Sequence, residues 1–85
     1  MKLSSRYLKI VEWSEEDQCF IGQCPDVIGP CCHGDDEVKV YNELRQIVDE
    51  WIDIIISDGK SLPEPIVSDK IYAQLFAKAA LIFLT

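Results

Sequence analysis

Basic residues are scarce in this chain: eight Lys and Arg stand against fifteen Asp and Glu, for a formal net charge of -7. Such a balance repels a polyanion, which argues against unaided binding to nucleic acid. A basic protein partner fits it better, although an acidic surface also serves solubility alone. Apolar runs of the roughly 20 residues that span a bilayer are missing, and the stretch from Met1 to Tyr7 lacks the hydrophobic segment of a secretion signal. A cytoplasmic protein with no membrane role is therefore expected. Also missing are a glycine-rich phosphate loop, a serine elbow, a His-Glu helix motif, internal repeats and low-complexity tracts. These absences remove the commonest signatures of nucleotide binding, ester hydrolysis and zinc proteolysis.

What remains is an ordinary globular composition, 85 residues of which 48% are hydrophobic, enough for one small core. A domain this short buries only about 60% of its unfolded surface, so every apolar element must dock, and self-association is a reasonable expectation. Tyr7 to Trp13 and Cys19 to Cys24 are short runs rich in β-branched and aromatic residues, separated by the polar stretch Ser14 to Gln18. That pattern predicts a β-hairpin with a solvated acidic loop. Leu8, Ile10 and Glu12 share one face of its first strand, and Tyr7, Lys9, Val11 and Trp13 the other. Pro25, Gly29 and Pro30 force a turn before a third strand, Pro30 to His33.

Gly34, Asp35 and Asp36 then open a helix, with Asp36 the better N-cap and Glu37 suited to the positive end of the dipole. From Glu37 to Ser57, Val40, Tyr41, Leu44, Ile47, Val48, Trp51, Ile52, Ile55 and Ile56 recur at spacings of three and four. This spacing predicts one amphipathic helix of about six turns lying across a small sheet, ended by Asp58 and Gly59. Beyond Pro65 the pattern suits a fourth strand from Ile66 to Ile71 and a short apolar helix from Tyr72 to Phe83. Exposed on a monomer, Ala79 to Leu84 would be adhesive, so this end packs on its own sheet or on another chain. The expected fold class is α+β: a small antiparallel or mixed sheet of three or four strands under one long helix, in the order β-β-β-α-β, plus a short C-terminal helix. Residues 1–65 form the domain, and residues 66–85 an extension for packing or oligomerisation.

Four cysteines and the one histidine lie between Cys19 and His33, which raises the question of a zinc site. The spacing is poor for it: Cys19 and Cys24, five apart, project to opposite faces of a strand, and adjacent Cys31 and Cys32 diverge likewise. Reduced thiols serving as small apolar side chains are the simpler reading. A cysteine nucleophile served by His33 lacks a third orienting group. The carboxylates form no converging metal cluster, so neither a metal, a cofactor nor a catalytic residue is expected.

The order of elements and their punctuation resemble the HicB-like antitoxin family. YLKIVEW and CFIGQC match its opening hairpin, Pro25, Asp26 and Gly29 its loop, Gly34 and Asp35 the start of its helix, and Asp58, Gly59 and Leu62 to Pro65 its exit. The resemblance spans Tyr7 to Pro65. It implies a partial ribonuclease-H-like fold without the nuclease carboxylates, and a role in binding a small basic messenger-RNA-cleaving toxin, HicA, to cover its active surface. In that family a separate C-terminal domain binds the operator. Here only 20 residues follow Pro65, with Lys70 and Lys78 their only basic side chains, so direct DNA binding is not expected.

The contact residues expected for a basic partner, on charge, are Glu15, Glu16 and Asp17 in the hairpin loop and Asp35 and Asp36 at the helix start. An orphan homo-oligomeric interaction protein without a toxin is the alternative. For stability, Trp51→Ala should cost roughly 3 to 5 kcal/mol if the apolar stripe buries the indole, and under about 1 kcal/mol if it does not.

Overall fold

The computed structural model describes residues 2–66. A short 3-10 turn, Leu3–Arg6, leads into three strands, β1 (Ile10–Ser14), β2 (Cys19–Cys24) and β3 (Gly29–Gly34), followed by one helix, α1 (Glu37–Ser57). The strands form an antiparallel sheet in the order β1-β2-β3, with α1 packed on one face. This is the expected α+β arrangement. Among the described residues no helix is long and apolar enough to cross a membrane. The expected C-terminal helix and all but the first residue of the expected fourth strand lie outside the described residues.

The helix ends where its local chemistry stops it. At its start the Asp36 carboxylate accepts the backbone N–H groups of Val38 at 2.9 Å and Lys39 at 3.2 Å, satisfying two donors that have no partner within the helix. At its end Gly59 adopts φ 71°, and the N–H groups of Gly59 and Lys60 reach back to the carbonyls of Ile56 and Ile55. That pair of bonds is the Schellman arrangement, which glycine enters without a Cβ clash.

Val40, Leu44, Val48 and Ile52, one turn apart, form the buried seam of α1 against Tyr7, Cys24 and Cys32. Burial of each large aliphatic side chain stabilises the fold by about 1.5 to 3 kcal/mol. The seam is narrower than the periodicity predicts. Tyr41, Trp51 and Ile56, expected in the stripe, are exposed, with Trp51 at 41%. A one-residue-in-four seam advances by about 40° per step around an α-helix. It therefore turns toward Ile52 and away from Trp51 by the second half of α1.

The first strand also differs from its expected span, Tyr7 to Trp13. Tyr7 stands outside the ladder because its side chain enters the core, where the phenol donates to the Pro63 carbonyl at 2.6 Å. Lys9 donates to the carbonyls of Ser4 and Tyr7, which closes this segment onto itself and delays pairing until Ile10. The third strand extends one residue beyond the expected range at each end.

Two truncations separate the buried seam from the exposed flank. In urea denaturation Leu44→Ala is expected to lose about 2 to 5 kcal/mol, whereas Trp51→Ala should lose about 1 kcal/mol or less. Equal losses would place Trp51 in the core.

Candidate functional site

An antiparallel meander puts the β1–β2 turn and the C-terminal end of β3 at the same end of the sheet. Phe20, the second residue of β2, pairs with Gly34, the last of β3, and Ser14 pairs with Cys19. The turn carries Glu15, Glu16 and Asp17; the residues after Gly34 are Asp35 and Asp36. All five are exposed, so the structure gathers at one end of the sheet the two acidic segments that sequence reading singled out separately.

Short-range bonds shape this end. The Gln18 N–H donates to the Ser14 carbonyl at 2.8 Å, the Asp17 N–H donates to Ser14 Oγ at 3.1 Å, and the Gln18 amide donates to the Glu15 carbonyl at 2.6 Å. Gln18 closes the turn with φ 54°, in the left-handed region. No acid of this end forms an ion pair with a described cation; the only ion pair between described residues joins Lys2 to Asp49 at 3.2 Å, beside the N-terminal turn. There the Asp49 carboxyl is held below its ordinary value, chiefly by a hydrogen bond from Ser4 and then by Lys2. Asp36 differs from the other four acids because its carboxylate already caps α1.

The sheet presents two unlike faces. Val11, Phe20, Cys24 and Cys32 pack under α1, whereas Ile10, Glu12, Cys19, Ile21, Gln23 and His33 follow the opposite alternation and project away from it. A shallow pocket of about 590 Å³ opens on the outer side, lined by Asp17, Cys19, Ile21, Pro30, Cys31, Cys32 and His33. Sequence reading missed this face. Its signal is the alternation Cys19, Ile21, Gln23, which becomes legible only once the register with β1 and β3 is known.

Adjacent Cys31 and Cys32 do not diverge as simple alternation predicts. Gly22 pairs with Cys32 but Gln23 pairs with Pro30, so Cys31 is the extra residue of a β-bulge. It packs against the core cluster, and its thiol interacts with that of Cys32. Burial pushes the Cys32 thiol up to about 11, with the neighbouring Cys31 adding to the effect. Burial likewise raises Cys24 and Cys31. Cys19 and Cys24 do take opposite faces, and all four cysteines are free thiols. Among the described residues no group of three or more His, Cys, Asp or Glu is placed to hold a metal ion.

No protein-family model, curated protein or solved structure matches the chain.

The thiolate is the reactive form, so a thiol at about 11 should alkylate roughly 100-fold more slowly at pH 8 than one near its ordinary value. Iodoacetamide labelling followed by peptide mass spectrometry is expected to leave Cys32 unmodified in the folded protein and to modify it once urea unfolds the chain. Rapid native labelling of Cys32 would show an accessible, activated thiol.

Proposed function

We propose that this domain is a protein-binding inhibitor of the antitoxin kind, which covers the active surface of a small basic messenger-RNA-cleaving toxin in the cytoplasm. The observation that carries this reading is the convergence of Glu15, Glu16, Asp17, Asp35 and Asp36 at one end of the sheet. Opposite charges across an interface accelerate encounter and select the partner, while contact area and packing set the lifetime of the complex. Inhibition needs only occupation of the toxin's RNA-binding surface, so no residue here is assigned a catalytic role and no cofactor is required. The HicB-like order of hairpin, Pro-Asp turn, Gly-Asp helix start and Asp-Gly exit supports the same reading.

A second reading, an orphan homo-oligomer, is favoured by the exposed apolar side chains on the second half of α1. Ile54 and Ile56 are about half exposed and Trp51 nearly so, at 50%, 49% and 41%. Trp51 and Ile54 lie about 60° apart on one side of α1, and neighbouring exposed apolar side chains are more often covered than left in water.

Tagged protein recovered from its native cytoplasm, with mass spectrometry and light scattering of the eluate, separates the two. A small basic protein whose RNA cleavage ceases in the complex supports the antitoxin reading. A homo-oligomer without such a partner overturns it in favour of the second. With a partner in hand, the combined variant Glu15→Gln, Glu16→Gln, Asp17→Asn, Asp35→Asn and Asp36→Asn is expected to weaken binding about tenfold or more and to flatten its salt dependence. Asparagine at position 36 keeps the helix cap. Unchanged affinity across salt concentrations would remove the acidic end from the interface.

A further inference from the structure

On the face of the sheet turned away from α1, no described helix or strand lies over Ile10, Cys19 and Ile21, which are half-buried. The solvent face of an antiparallel sheet ordinarily carries polar side chains at these alternating positions. Here the central strand places Ile21 between Glu12 on β1 and His33 on β3, beside the pocket that also reaches Asp17 and Pro30. The arrangement is an apolar centre with acidic side chains at its margin, next to the acidic turn. Specific interfaces are built in this way, with a water-excluding centre and a polar rim.

We infer that this outer face is the docking surface for the basic partner, which seats an apolar side chain flanked by Lys or Arg in the pocket beside Ile21. The inference rests on the reading of the domain as an inhibitor of a basic protein. Charge selects this occupant over two others. A second copy of the chain carries the same net charge of -7 and would bring the same acidic margin against its own. A nucleic acid meets the same repulsion. A basic protein offers both an apolar side chain for the centre and positive charge for the acidic margin.

The full chain is expressed in its native cells with a benzophenone amino acid in place of Ile21, or in place of Ile56 on the far half of α1, and irradiated. The variant Ile21→Lys, its fold checked by circular dichroism, is then titrated with the captured protein. Cross-linking of a basic RNA-cleaving protein from position 21 and not from position 56, with affinity reduced at least tenfold in Ile21→Lys, is the expected result. The same protein captured only from position 56, or bound by Ile21→Lys at full affinity, overturns the docking face and leaves the inhibitor reading intact. Cross-links from position 21 solely to a second copy, or to residues 67–85 of the same chain, give the face to that occupant and overturn the inference. Capture of no basic protein from either position overturns the inference together with the reading beneath it.

Discussion

The approach of α1 to the middle strand at Gly22 governs the rest of this domain. A Cβ at that position would stand 2.6 Å from Cys32 Sγ, 3.2 Å from Val40 Cγ1 and 3.5 Å from Leu44 Cβ. A side chain there would clash with the Cys32 thiol of β3 and crowd Val40 of the helix, so glycine suits the point where α1, β2 and β3 meet. Val40 and Leu44 fill the space directly, and the Cys32 thiol donates to the Val40 carbonyl at 3.7 Å, so the neighbouring strand is drawn into the same contact. At a second close approach, where a Cβ on Gly34 would stand 3.1 Å from Val40 Cγ2, the first turn of α1 meets the end of β3. With those two contacts set, the helix axis follows, and with it the line of the buried seam from Val40 to Ile52.

That contact also places the charges. Because α1 begins directly above the end of β3, only Asp35 and Asp36 separate sheet from helix, and both stay at the end where the β1–β2 turn emerges. The acidic end is thus a product of backbone geometry, held by a cap, a four-residue turn and strand register. It needs no ion pairs for its shape, which leaves its carboxylates oriented toward solvent at little structural cost. Asp36 is the exception, since the N–H groups it accepts and the positive end of the helix dipole already offset its charge. The weight of attraction for a cation therefore falls on Asp35 and the three acids of the turn.

Features that depend on a few consecutive residues were legible in the sequence. The span of α1 follows from Asp36 and Gly59, two residues whose preferences act over one turn, and β2 from the apolar run between two polar stretches. The features that were not legible depend on residues far apart in the chain. Tyr7 leaves the ladder for a carbonyl 56 residues away. Cys31 escapes alternation because the partner strand shifts register at Gly22 and Gln23, and Trp51 falls outside the seam because the seam turns as it follows the sheet. The same distinction applies to the site. Exposure of the five acids follows from local polarity, but their meeting at one end, and the apolar outer face beside them, exist only in the register of three strands.

A three-stranded sheet with one face open and both outer strands unpaired among the described residues is exposed to self-association, through its edges and through that face. Proteins commonly blunt such edges with proline, charge or a bulge, and β3 carries both Pro30 and the bulge at Cys31. Among the described residues no helix or strand covers the other face, where Ile10, Cys19 and Ile21 stand among Glu12, Gln23 and His33. Its acidic margin, together with the net charge of -7 on the chain of 85 residues, acts against such association. Charge of one sign repels every copy of the same chain while attracting any surface of the opposite sign. On the proposed reading, one set of carboxylates has two tasks on this face, repelling other copies of the chain and attracting a basic partner.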